Sequence, residues 1–243
     1  MKDTRMIMGM PITIEILDAG VMKHDLADIF KYFVYIDETF STYKSSSEIS
    51  CINRGDISTH QYSKDMQEVL RLSEETKKLT GGYFDISHNN KLDPSGLVKG
   101  WAIYRACKLA RRKGFKSFYI DAGGDIQAEG KVWKVGIKNP FQHDQVIKTI
   151  ALRDRGIATS GTYNRGEHIY NPHTGDNHIP EIVSLTVIGP NIYEADRFAT
   201  AAFAMGRHGI AFIEHLSGFE GYMIDSHGIA TVTSLFDTYV HHA

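Results

Sequence analysis

From residue 116 onward the spacing of apolar residues changes from helical to alternate, and that switch is the strongest constraint on the fold. Before it, residues 23 to 40 carry Leu26, Phe30, Phe33, Val34 and Phe40 at helical spacing, with acids and lysines between. Residues 64 to 79 repeat the pattern with Met66, Val69, Leu70 and Leu79; Ser63 is placed to cap that helix and Gly81-Gly82 to end it. A third helix is predicted over about 96 to 113, with Trp101, Ala102 and Leu109 inward and Gly114 closing it. One strand, 11 to 17, precedes these helices. After the switch, "KSFYIDAGG", "DIQAEG", "KVWKVGIK" and "VIKTIALRD" read as successive strands of an antiparallel meander. A strand over 183 to 189, helices near 192 to 205 and 207 to 216, and two last strands complete the chain. Helices and strands are segregated rather than alternating, so the class is α+β. The absence of repeats, low-complexity segments and linkers predicts one domain over residues 1 to 243.

Composition removes several functions. With 42% apolar and 23% charged residues and a net charge of −2, the chain is that of an ordinary globular protein. Its Lys and Arg form no basic stripe, so nucleic acid is not an expected partner. No apolar run is long enough for a transmembrane segment. Cys51 and Cys107 form no CxxC and read as reduced thiols. The first residues lack the apolar core of a signal peptide. The chain as it stands is therefore expected in the cytoplasm, and a longer form in the periplasm or anchored to a membrane.

Chemistry is concentrated in a few segments. In "EADRFATAAFAMG" (194 to 206), Asp196 and Thr200 share one helix face and offer two hard oxygen ligands suited to Mg²⁺; a helix cap is the other reading of Asp196. "LDPSGLVKGWAIYR" (92 to 105) is a turn feeding a helix, with Lys99 near the start, either at an anion seat or merely solvated. "DAGGDIQ" (121 to 127) is explained by a tight hairpin, with close approach of a ligand as the alternative. "ATSGTYNRGEHIYNPHTG" (158 to 175) mixes hydroxyls, glycines and His168 in the manner of a site that holds an anion and moves a proton. The spacing of His168, His173 and His178 does not suit zinc.

In chain order, "IMG", "FSTYKSSSEISCIN", "TGGYFDIS", "LDPSGLVKGWAIYR", "DAGGDI", "ATSGTYNRGEHIYNP" and "ADRFATAAFAMG" closely resemble the ApbE family of FAD:protein FMN transferases over nearly the whole chain. The resemblance implies antiparallel sheets with packed helices in a T-fold-like arrangement. It also implies Mg²⁺-dependent transfer of FMN from FAD to a Ser or Thr hydroxyl of an acceptor flavoprotein subunit, with release of AMP. Hydrolysis of FAD to FMN and AMP at the same site is the close alternative, and flavin binding without turnover a more distant one. Carried over by position, Asp196, Thr200 and the carbonyl of Gly96 would hold the metal. Lys99, Asp93, Tyr83, Phe84 and Asp85 would line the FAD site, and Met8 and Tyr43 would meet its flavin or adenine end. Ser160, Gly161 and His168 would lie beside the phosphates, with backbone and hydroxyl donors of 159 to 161 cradling them and His168 as general base. Two departures from the family pattern stand out: Met10 in place of a threonine after Met8-Gly9, and Arg197 in place of a small residue after Asp196.

Overall fold

The structure is a computed structural model, and it describes residues 1–142, 144–162, 169–176 and 179–241. The chain opens with a hairpin of β1 (Lys2–Ile7) and β2 (Met10–Ile16), followed by α1 (Lys23–Phe40), α2 (Glu48–Arg54) and α3 (Lys64–Leu79). A short hairpin, β3 (Ser87–His88) and β4 (Lys91–Leu92), leads into α4 (Ser95–Arg112). Five strands follow: β5 (Phe118–Ala122), β6 (Asp125–Glu129), β7 (Trp133–Lys138), β8 (Val146–Leu152) and β9 (Arg155–Gly161). The remainder is β10 (Ile182–Gly189), α5 (Ile192–Ala204), α6 (Gly209–Glu214), β11 (Glu220–Asp225) and β12 (Ala230–Val232). Among the described residues no helix is long and apolar enough to cross a membrane.

Eight strands form one antiparallel sheet in the order β1-β2-β5-β6-β9-β10-β11-β12. Its alternation assigns residues to two cores. Ile12, Ile14, Ile16, Phe118, Ile120, Leu185 and Val187 point to the helices and join Phe30, Phe33, Trp101 and Phe203 in the larger core. Ala128, Ile157, Ile188, Tyr222 and Ile224 point the other way and meet Trp133, Val135, Ile137, Ile150 and Leu152 of the β7–β8 hairpin. The helices and the hairpin therefore cover opposite faces of the sheet.

The predicted helices stand where periodicity placed them. Ser63 Oγ accepts the Met66 amide at 3.1 Å, and Gly81 and Gly82 take positive φ beyond the end of α3. Val34 and Leu79, expected inward, are exposed. The meander needs correcting. β5 and β6 belong to the large sheet, but β7 and β8 form a separate two-stranded sheet, with one bridge from Ile150 of β8 to Val240, and β9 returns to pair with β6. Alternation in β7 and β8 shows that one face is buried; it does not distinguish a strand paired at a sheet's edge from one stacked on its face. The segment beginning at 158, read as a site that holds an anion and moves a proton, starts inside the interior strand β9, with Ala158 buried in the larger core.

Candidate functional site

The helices α4 and α5 meet at a face made of glycines. Gly96 and Gly100 lie one turn apart on α4, opposite Asp196 and Thr200 of α5. A methyl at Gly100 would stand 2.5 Å from Asp196 Cβ and 2.7 Å from the Ile192 carbonyl oxygen; one at Gly96 would stand 2.9 Å from Thr200 Cγ2. Without side chains at these positions, the backbone of α4 reaches the polar groups of α5. The Gly100 amide donates to Asp196 Oδ2 at 2.7 Å, and Thr200 Oγ1 donates to the Gly96 carbonyl at 3.2 Å. The Gly96 carbonyl, Thr200 hydroxyl and Asp196 carboxylate are thus brought together.

A second carboxylate completes the cluster. Asp125, at the start of β6, is 2% exposed, so it cannot be the solvated hairpin acid that its sequence context allowed. Its Oδ2 lies 2.5 Å from Lys99 Nζ, and its Oδ1 accepts the Thr159 amide at 3.1 Å. Lys99, placed early in α4 against the helix dipole, is thereby balanced by a protein carboxylate. Burial, together with the neighbouring Asp125, holds the Asp196 carboxyl well above the ordinary carboxylate range, while Lys99 and the Gly100 amide oppose that shift.

The donors are hard oxygens, and the two carboxylates are buried, with the Lys99 ammonium on Asp125. Such a set fits Mg²⁺, which binds through one or two carboxylates and keeps other positions for water and phosphate. It does not fit a soft metal. Among the described residues no group of three or more His, Cys, Asp or Glu could hold a metal ion of any kind, so the set rests on the Gly96 carbonyl and the Thr200 hydroxyl as well as on carboxylates.

This cluster forms part of the lining of a cleft of about 1650 Å³. Tyr43, Tyr83, Phe84, Asp85, Asp93, Gly96, Lys99, Ser160, Gly161, Asp196 and Thr200 all line it. Tyr43 is 99% exposed at the rim. Phe84 is buried, its amide donating to Thr80 Oγ1 at 3.1 Å. Asp85 pairs with Lys77 at 2.7 Å, and Asp93 accepts the Ser95 amide at 3.0 Å where α4 begins. Met8 does not line the cleft. It sits at φ +57° in the β1–β2 turn, packed against the larger core, and its neighbours Gly9 and Met10 reach the cleft instead. Thr159 lines the cleft as well; its amide donates to Asp125 Oδ1, and its hydroxyl lies 2.9 Å from that of Thr186. His168 and His178 lie outside the described residues, although Gly161 and Ile169 to either side of the first both line the cleft. His173 packs on the Tyr83 ring at 4.4 Å between centroids, with Nε2 3.0 Å from the Gly81 carbonyl, and so supports Tyr83.

Sequence reasoning missed several functional positions. Asp125 was masked by the fact that hairpins favour Asp anyway. Gly100 carried a readable signal, since Gly-x-x-x-Gly within a helix marks close backbone approach. Asn53 gave none, yet its side-chain amide donates to the Leu92 carbonyl at 2.9 Å and accepts the Leu92 amide at 2.8 Å, fixing the strand that precedes Asp93.

The chain resembles known proteins in sequence and in fold. The FAD:protein FMN transferase of Klebsiella pneumoniae (strain 342) is 28% identical over 151 residues, which are 56% of this chain and 43% of that protein. The FAD:protein FMN transferase of Vibrio cholerae serotype O1 is 30% identical over 138 residues, 51% of this chain and 41% of that protein. The chain thus spans less than half the length of the curated relatives it matches. Among solved structures, the ApbE protein of Thermotoga maritima superposes with a TM-score of 0.89 at 20% identity, covering 100% of this chain and 99% of that one. The flavin transferase ApbE of Vibrio cholerae gives 0.85 at 21% identity and covers 98% of each chain. At these identities the structural likeness carries the fold. The family model described as ApbE family matches residues 8–90 and 87–223, which is most of the sequence, and the chain belongs to the ApbE family.

Proposed function

We propose that the protein transfers FMN from FAD to a serine or threonine hydroxyl of an acceptor flavoprotein subunit, releasing AMP, with Mg²⁺ as cofactor. The observation that carries this reading is the meeting of the Gly96 carbonyl, Thr200 and Asp196 with the Asp125–Lys99 pair in the wall of one large cleft. The names of the matched relatives supply the reaction class. At about 1650 Å³ the cleft exceeds the roughly 300–1,000 Å³ typical of a single small-ligand site, which leaves room for a dinucleotide and an incoming segment of protein.

In the proposed reaction the acceptor oxygen bonds to the phosphorus on the riboflavin side of the pyrophosphate. The bond to the bridging oxygen breaks, and AMP leaves with that oxygen. The acceptor proton passes to His168. Asp196, Thr200 and the Gly96 carbonyl would hold Mg²⁺, with Asp125 adding negative charge beside them. Mg²⁺, when bound, would neutralise charge on the phosphate oxygens and the leaving AMP. Lys99, held by Asp125, would answer charge on the pyrophosphate, and the rings of Tyr43 and Tyr83 in the cleft lining would meet the flat ends of FAD.

The test is to incubate the protein with FAD, Mg²⁺ and a candidate flavoprotein subunit while following AMP, free FMN and covalent fluorescence on the subunit. Fluorescent subunit with equimolar AMP is expected. AMP with free FMN alone would make the protein a hydrolase, and bound FAD without AMP would make it a carrier. Asp196→Ala is expected to abolish the Mg²⁺ dependence and most of the turnover.

A further inference from the structure

The lining of the cleft includes all six residues of β7, Trp133 to Lys138. Successive side chains of a strand point to opposite faces, so six in a row can share one cavity only if the strand's hydrogen-bonding edge faces it. The faces of β7 are already assigned: Trp133, Val135 and Ile137 are buried in the smaller core, and Lys134, Gly136 and Lys138 are exposed. Among the described residues β7 pairs with β8 alone, so its other edge carries open N–H and C=O groups. The lining also includes Thr13 and Glu15 of β2 and Tyr119 and Asp121 of β5, all on the sheet face turned away from the helices.

The charge on this edge has one sign. Lys134 and Lys138 are exposed, lie four positions apart on one face of the strand, and make no ion pair among the described residues. Lysines so placed discourage two copies of the chain from pairing along the edge, and they favour a strand that carries carboxylates on the side facing β7, away from Glu15 and Asp121. The edge also shares the cleft with the carboxylate cluster. Lys138, Asp121, Asp125 and Lys99 all line it, and Asp121 and Asp125 stand at the turn end of the β5–β6 hairpin, with Asp125 bound to Lys99. A chain laid along β7, about 20 Å long for six residues, would therefore run toward the Lys138 end and the carboxylate cluster.

We propose that the open edge of β7 receives the hydroxyl-bearing segment of the acceptor protein as an added β-strand, with acidic side chains of that segment facing Lys134 and Lys138. This rests on the reading of the protein as a flavin transferase and names how its protein substrate is held. Main-chain hydrogen bonds position the segment, and the lysines select its composition.

The experiment is amide hydrogen–deuterium exchange on the unmodified protein, with a short synthetic peptide of alternating glutamate and threonine, and with a lysine–threonine peptide of the same length. The expected result is that exchange at 133 to 138 slows about tenfold or more with the acidic peptide only. In the double variant Lys134→Glu, Lys138→Glu the preference should reverse. Unchanged exchange along β7 with the acidic peptide, whether it binds elsewhere or not at all, overturns the inference. Equal protection by both peptides overturns the charge selection. No turnover enters this measurement. A protein that cleaves no FAD refutes the proposed function without altering the exchange result, and a working transferase with an unprotected β7 refutes only the docking edge.

Discussion

The Gly100 amide donates to Asp196 Oδ2 at 2.7 Å, and a methyl at Gly100 would stand 2.5 Å from Asp196 Cβ. One absent side chain thus sets both how closely α4 approaches α5 and how the buried carboxylate is held. Gly100→Ala is expected to cost about 1–3 kcal/mol of stability through overpacking. Turnover should fall more steeply than stability, because the helices separate at the oxygen donors. Urea unfolding alongside AMP release checks this; a variant with unaltered midpoint and rate would remove the close approach from the account.

Asp125→Asn keeps the shape of the side chain and removes the charge opposite Lys99. Activity is expected to drop by about 10–100-fold, the usual effect of losing a group that supports a metal ligand. The Mg²⁺ concentration for half-maximal rate should rise with it. An unshifted Mg²⁺ titration would show that Asp125 serves Lys99 alone.

His168→Ala is expected to slow FMN transfer by about 10²–10⁴-fold, the range for loss of a general base. FAD affinity, read from flavin fluorescence, should stay near that of the parent. A selective loss of affinity would make His168 a binding residue.

Tyr43 is 99% exposed, so Tyr43→Ala should change stability by no more than about 0.5 kcal/mol. If its ring stacks on FAD, affinity should weaken by about 0.5–1.5 kcal/mol, roughly 2- to 10-fold. Melting temperature and FAD titration measured together distinguish this from a structural role.

Asp225 supplies the pH-dependent case. The amides of Ile229 and His227 donate to its Oδ1, each at 2.9 Å, and hold the carboxyl below the ordinary carboxylate range, with the Ile229 bond the larger cause. A folded pKa below the unfolded one means that the charged form stabilises the fold. That contribution is present above the unfolded value of about 3.9 and is lost as pH falls through the folded one. Asp225→Asn should therefore lower the urea midpoint at pH 7, with the difference from the parent shrinking toward pH 3. A difference that stayed constant with pH would assign the effect to shape alone.

How much could be read from the sequence depends on the range of each interaction. α1 and α3 have the bounds that periodicity and caps gave them, because a helix face and its caps are local. α2 was hidden, since its seven residues are mostly polar and their helical state shows mainly in the Ser47 cap on Ser50 and the left-handed Gly55. β7 and β8 were recognisable as strands, but not as a hairpin stacked on another sheet, which depends on partners far along the chain. The same limit applies to the site. Asp196 and Thr200 are visible as a helix pair, whereas Asp125 becomes a buried partner of Lys99 only once β6 is laid beside α4. Thr159 is similar: that its hydroxyl meets Thr186 across the β9–β10 pair shows only once the two strands are in register.

The Gly96 carbonyl and the Thr200 hydroxyl are separated by 104 positions in the chain. No fragment containing only one of the two helices carries both, and an unfolded chain holds them apart. Occupancy at that spot is therefore thermodynamically linked to folding: any cation that settles there raises the melting temperature in proportion to the logarithm of its free concentration once the site is near saturation. Calorimetry across a magnesium series would then measure affinity through heat stability, without substrate or turnover.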